Sequence, residues 1–424
     1  MTKPLSTLVI GAGDRGNAWA HHAKASGAGL SIDAIAEPDD DKRQAYAEKH
    51  NISSQNIYDE GEEALNDGRD FDAVIIATPD KTHHAIAYQA LRNNYNVLLE
   101  KPMATTEDDC IGIVEAQKKS GTVLSVAHVL RYSPFFQTLK DITNSGELGK
   151  LLQADLTEEI GHWHFAHSYV RGNWRNSEES SPVILAKSCH DLDILTWLAD
   201  AQAGLVSSTG SLDFFNPDNK PDGATERCTD GCLVKKCIYD ARQFYIGKHT
   251  IAKKSGEVRW PYAALSPETD PELRLHALKQ SQYGECVFAG NNDVCDNQNV
   301  SIEFINGVRA NFRLRSLGNM SNRQIRLYFE RGELRGDLMK GKIERQTYHG
   351  DRDVNDVQEV TLKDMNAHGG GDGYLIKNFA DMIRTGNTEG NKTSARQSLQ
   401  SHLIAFAAEK SRDIGEAIPV DSSL

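Results

Sequence analysis

The chain has 424 residues, 39% of them hydrophobic and 25% charged, and a formal net charge of -13. That length calls for more than one folding unit, and the negative balance disfavours nucleic acid and anionic membrane as partners. No apolar run approaches the roughly 18 residues of a membrane span, and "MTKPLSTLVI" lacks the basic start and cleavage pattern of an export signal, so a cytoplasmic protein is expected.

The first predicted strand contains Leu8, Val9 and Ile10, "GAGDRG" follows at 11 to 16, and Arg15 to Ser26 has the composition of a helix. Gly11 permits a tight turn, Gly13 lets the backbone approach a pyrophosphate, and Gly16 lets the helix pack against its strand. Asp14 and Arg15 head that helix, whose N-terminus would face the phosphates. The next strand, "LSIDAIAEPD", ends at Glu37, about 20 residues past the last glycine, where a carboxylate can accept hydrogen bonds from an adenosine ribose. NAD is the expected cofactor, while Lys42 and Arg43 just downstream leave NADP open. A turn that holds no phosphate is the alternative.

The alternation continues with "FDAVIIATPD", a helix from "KTHHAIAYQALRNN", and "YNVLLEKP". The strand ends carry Thr78 and Pro79, and Glu100 and Lys101, with His83 opening the intervening helix; all five are candidate cofactor contacts. A further helix and "TVLSVAH" complete a doubly wound α/β unit over residues 1–128. From 129 to 424 the pattern changes: "LLQADLTEEI", "VSIEFINGVRANFRLRS", "RQIRLYFERGELRGDL" and "KIERQTYHG" alternate apolar with polar and are joined by short turns. An α+β unit with a large, mostly antiparallel open sheet is expected, with closing helices at about 372–414.

Taken together, "GAGDRG", "ATPDKTHH", "EKP", "RYSPFF" and "CHDLDIL" resemble the Gfo/Idh/MocA oxidoreductases over essentially the whole chain. The resemblance implies a nicotinamide cofactor and hydride transfer at a secondary hydroxyl of a sugar, a cyclitol or a derivative. It makes Lys101 and His190 the candidate catalytic pair. Hydride loss from a carbinol requires a cation and a proton acceptor beside it, and Lys101 and His190 suit those roles. Asp193, one turn beyond His190, could orient the imidazole or raise its pKa. Many relatives carry an aspartate four residues before this histidine, whereas this chain has Ala186 there and Lys187 next to it.

Candidate substrate contacts gather in "GHWHFAHSYVRGNWRN", of which His164, Tyr169, Trp174 and Arg175 are singled out, with Arg131, Tyr132, Lys187 and Asp193 beside them. Transient oxidation by tightly bound NAD during glycosidase or lyase chemistry, and ligand sensing without catalysis, are the alternative functions. A homo-oligomer formed through the open sheet face is also expected. A cysteine-bearing insertion near 213–290 contains Cys228, Cys232 and Cys237, to which Cys286 could add a fourth thiolate; a structural zinc site and unrelated free thiols are the two readings.

Overall fold

Strands with no polar phase, such as Ala73–Ile76, can be buried only where helices cover both faces of a sheet. The computed structural model describes residues 3–247, 258, 260–350, 357–362 and 368–421. In it β1 (Leu5–Ile10), β2 (Leu30–Ala36), β3 (Ile57–Tyr58), β4 (Ala73–Ile76), β5 (Asn96–Leu99) and β6 (Leu124–Val126) form one parallel sheet, ordered β3-β2-β1-β4-β5-β6. The direction of winding reverses between β1 and β4, so a crevice opens beyond their carboxyl ends.

The second sheet contains β7 (Leu151–Gly161), β8 (Ala203–Ser211), β9 (Asn297–Phe304), β10 (Arg309–Gly318), β11 (Asn322–Phe329), β12 (Gly332–Asp337), β13 (Lys342–Thr347), β14 (Val357–Thr361) and β15 (Ile418–Pro419). Its order is β14-β13-β12-β11-β7-β10-β9-β8-β15. The central pair β7 and β10 is parallel and the remaining pairs are antiparallel, so the sheet is mixed. Period-two alternation sets its faces. Leu156, Phe312 and Leu327 point into the core, while on the open face Asn311 bonds Ser301 at 2.9 Å and Asp155 at 3.0 Å.

Two closing helices lock the sheets together. Leu375, Ile376 and Phe379 of helix Gly371–Thr385 pack with Trp19 and Val9 against the first sheet. Helix Ala395–Ile414 starts there too, through Leu399 and Leu403, and then joins the core under the second sheet through Ile404, Ala405 and Ala408. One helix with a foot in each core fixes the cleft between them. The segment between β8 and β9 has a small core of its own, built on Ala241, Tyr245, Leu278 and Tyr283.

The close approach expected at Gly16 is present: a Cβ there would lie 2.0 Å from the Gly11 carbonyl oxygen. Gly16→Ala should therefore force the first helix off its strand and cost about 1–3 kcal/mol, read as a lower urea midpoint. An unchanged midpoint would show that the turn yields freely.

Candidate functional site

At the dinucleotide end, Gly11 adopts φ +100°, and an added Cβ would sit 2.5 Å from the Ala77 carbonyl oxygen. Gly13 faces open space, with nothing within 4 Å of a Cβ built on it, which leaves room for a phosphate over the first turn of helix Asp14–Ala25. Burial pushes the Asp14 carboxyl up. The Glu37 carboxylate accepts from the Ala12 amide at 2.8 Å and the Asp39 amide at 3.1 Å, so it braces the glycine turn while keeping lone pairs for a ribose. Lys42 pairs with Asp39 at 3.1 Å, and Arg43 with Asp40 at 2.8 Å and Asp59 at 3.0 Å. Both cations are thus engaged within a cluster of carboxylates, a setting that suits a bare ribose hydroxyl better than a 2′-phosphate.

Other expected cofactor contacts have structural partners. Arg15 lies over the Trp19 ring and holds Glu100 at 2.6 Å and Asp372 at 2.8 Å. Thr78 Oγ1 accepts from the Thr82 hydroxyl at 2.8 Å, and Pro79 precedes the turn Asp80–Thr82. His83 is buried with its ring nitrogens on the Pro102 carbonyl at 2.7 Å and the Thr78 carbonyl at 2.9 Å. It ties the end of β4 to the turn that carries Lys101.

Lys101 precedes a cis peptide to Pro102, and its Nζ donates to the Ala186 carbonyl at 2.7 Å. That bond spans the cleft and brings "EKP" to the segment leading into His190. His190 is buried near the start of helix Cys189–Ala199. Its Nδ1 has no partner, and its ring meets those of His128 at 5.6 Å and His368 at 5.9 Å. Burial first, then the charge of Lys101, lowers its pKa well below the usual imidazole range. The raised pKa expected from Asp193 is therefore corrected. Asp193 binds Arg131 through two contacts of 2.7 Å, because a buried carboxylate is better neutralised by a guanidinium than by an imidazole.

Lys187 enters a buried network that sequence reasoning missed. Glu158 Oε1 lies 3.4 Å from Lys187 Nζ and 2.6 Å from Arg323 Nη2, and Arg323 Nε donates to Asp191 at 2.7 Å. Asp191 and Glu158 thus meet on one guanidinium. Burial holds Asp191 up, whereas for Glu158 the cations Arg323 and Lys187 outweigh burial and hold the carboxyl down. A strand-phase signal was available: Glu158 and Arg323 occupy inward positions among buried apolar neighbours on β7 and β11.

The remaining candidates divide between the cleft wall and structural roles. His164 contacts Ser321 Oγ at 3.3 Å and is kept neutral by burial and by Lys187. Trp174 donates to Asp80 at 3.1 Å, and Tyr169 is buried between its ring and that of Phe165. Arg175 bonds Gln282 and lies 3.6 Å from Glu179. Arg131 pairs with Asp193, and Tyr132 bonds Asn378 at 3.0 Å. Cys228, Cys232, Cys237 and Cys286 do line one cavity, where Arg171 donates to Cys228 at 3.7 Å. Yet among the described residues no group of three or more His, Cys, Asp or Glu could hold a metal ion, and all seven cysteines are free. The zinc expectation is not supported; burial pushes the Cys237 and Cys286 thiols up, away from the thiolate a metal requires.

Buried imidazoles make stability depend on pH. Burial holds His167 and His402 at about 3, and His128, His164 and His190 shift the same way. Unfolded histidines bind protons below about 6.5 while these native ones do not, so each costs about 1.4 kcal/mol per pH unit as pH falls below that value. Asp191 opposes them, as do Asp14, Asp193 and Glu409, all of which burial makes easier to protonate in the folded state. The melting temperature should drop by several degrees between pH 7 and pH 5; a flat profile would contradict this balance.

Residues 5–128 match the Gfo/Idh/MocA profile described as an oxidoreductase family with an NAD-binding Rossmann fold, and residues 140–420 match its C-terminal alpha/beta domain. The chain is 34% identical to YteT of Bacillus subtilis over 175 residues, 40% of this chain and 41% of that one. It is 28% identical to inositol 2-dehydrogenase of Corynebacterium glutamicum (strain R) over 208 residues, 48% of this chain and 56% of the other. These matches span about two fifths to just over half of the relatives' length. Among solved structures, an oxidoreductase domain protein from Kribbella flavida superposes with a TM-score of 0.74 at 16% identity, covering 99% of this chain and 100% of that one. Levoglucosan dehydrogenase in complex with NADH and L-sorbose gives the same values, a likeness of fold. Among the described residues no helix is long and apolar enough to cross a membrane. With both profiles matched in chain order and the later one alone covering well over half of the residues, this chain belongs to the Gfo/Idh/MocA oxidoreductase family.

Proposed function

We propose that the chain is an NAD-dependent dehydrogenase acting on a secondary hydroxyl of a sugar, a cyclitol or a derivative, with Lys101 and His190 flanking the reacting carbinol. The observation that carries this reading is the 2.7 Å bond from Lys101 Nζ to the Ala186 carbonyl, which sets an ammonium beside the segment leading into His190. Bound NAD would supply the hydride acceptor, with Gly11, Gly13, Gly16 and Glu37 holding its phosphates and ribose. Lys101 orients the substrate hydroxyl and stabilises negative charge on its oxygen; neutral His190 takes the departing proton. Burial keeps His190 unprotonated, and so free to accept although as a weak base, and keeps bulk water from screening its ring. Self-association through the open sheet face belongs to the same reading, and sedimentation giving only the monomer mass would remove it.

A screen of sugars and cyclitols with NAD, followed by nicotinamide absorbance, tests the activity. Stoichiometric NADH supports the dehydrogenase; product without net NADH would mean transient oxidation and bond cleavage. Lys101→Ala should lower kcat by about a hundredfold or more with little change in the Kd of NAD. Parent turnover in this variant would dismiss the assignment. His190→Ala should cost a comparable factor, and the acid limb it removes should lie below the ordinary imidazole range because burial depresses the native pKa. For the cofactor, NAD should bind at least about tenfold tighter than NADP, near 1.4 kcal/mol. Equal affinities, or a preference unchanged in Glu37→Ser, would remove Glu37 from that role.

A further inference from the structure

Most carboxylates around the cleft take partners other than its two lysines. Glu100 and Asp372 share Arg15, at 2.6 and 2.8 Å, and Asp193 takes Arg131. Asp80 is enclosed by neutral donors, Trp174 at 3.1 Å and the hydroxyls of Ser180 and Ser181 at 3.1 and 3.2 Å, and forms no ion pair with either cleft lysine.

The cations are less well matched. Arg323 grips Glu158 at 2.6 Å and Asp191 at 2.7 Å, the shortest ionic contact that either carboxylate makes. Lys187 lies farther from Glu158, at 3.4 Å, and shares its oxygen with Arg323. Lys101 has only a neutral backbone carbonyl on its Nζ. Lys101 thus has no carboxylate on its ammonium and Lys187 only a longer, shared one, and both bear on His164, which burial keeps uncharged. A buried cation lacking a full counter-charge is costly unless a ligand supplies it.

We propose that Lys187, acting with Lys101, seats a carboxylate of the substrate, so that the reacting compound is a sugar acid such as a uronate or an aldonate. This rests on the dehydrogenase reading of the same cleft and narrows its substrate. A monoanion fits better than a phosphate ester. Both available cations are single-point ammonium groups, and the guanidiniums nearby, those of Arg323, Arg131 and Arg15, which could clamp a dianion through two parallel bonds, are already held by carboxylates.

Calorimetric titration of the NADH-loaded protein with matched pairs, D-galacturonate against D-galactose and D-glucuronate against D-glucose, tests this, with D-glucose 6-phosphate as a third arm. At least one uronate should bind roughly tenfold or more tightly than its neutral partner, and that gap should narrow as salt is raised. Lys187→Met should shrink the gap to within about threefold, and Lys187→Arg, which keeps the charge, should retain most of it; melting curves confirm that both variants fold. Neutral sugars binding as well as the uronates, no uronate binding at all, a tighter phosphate ester, or a gap unchanged in Lys187→Met would each overturn the proposal. NADH production from neutral sugars alone would sink the acid seat and leave the dehydrogenase standing. Uronate binding lost in Lys187→Met, with no redox chemistry on any sugar, would keep the seat and remove the dehydrogenase.

Discussion

Arg15 is the interaction on which the site's geometry depends. Its guanidinium joins Glu100 at the end of β5 to Asp372 at the head of a closing helix, parts of the chain separated by more than half its length. The consequences run both ways from it. Glu100 also accepts from the Lys101 amide at 3.1 Å, so the carboxylate held by Arg15 sets the turn that presents the lysine. Asp372 also holds His368 at 3.0 Å, and that ring borders His190. Without the guanidinium Glu100 would lose its ion-pair partner and Asp372 would keep only His368, and breaking a buried pair costs about 3–5 kcal/mol.

The same constraint sorts the polar residues of the cleft. Burial makes an unpaired charge expensive, so cations and carboxylates brought under cover find each other first. Arg131 with Asp193 and Arg323 with Asp191 pair for that reason, although the sequence positions of Arg131 and Asp193 suggested contact with substrate. What remains available is what pairing left over: two ammonium groups and imidazoles that burial has stripped of charge.

Much of the fold was legible because it rests on local periodicity. Apolar runs ending in small or polar turns marked the parallel strands, and alternation marked the second sheet. The glycine turn was legible for a steric reason, since Gly11 and Gly16 sit where a side chain would strike backbone. The parallel pairing of β7 with β10 was not, because alternation defines a face and says nothing of a neighbour's direction. Nor was the partner of Asp193: helical spacing put it near His190, but Arg131 arrives from 62 residues away and wins on charge. Glu158 and Arg323 left a trace that periodicity could have exposed, as charged residues standing in the buried phase of their strands. Four cysteines around one cavity were foreseeable as a cluster, yet clustering in sequence does not supply converging ligands.

Burial also limits what His190 can do in the proposed reaction. The covering that keeps its imidazole neutral, and so able to accept a proton, also makes the imidazolium costly, since Lys101 and Arg323 bear on the same ring. A proton taken up there is driven onward. The two histidine rings beside it differ in how they can respond. His128 is fully buried with both nitrogens unpartnered and would carry the charge at similar cost. Burial lowers the pKa of His368 as well, but the carboxylate 3.0 Å from its Nδ1 opposes that shift. The Asp372 carboxylate that bonds Arg15 thereby also makes the His368 side of His190 the easier direction for positive charge, so the clamp that shapes the cleft also biases where the proton can go.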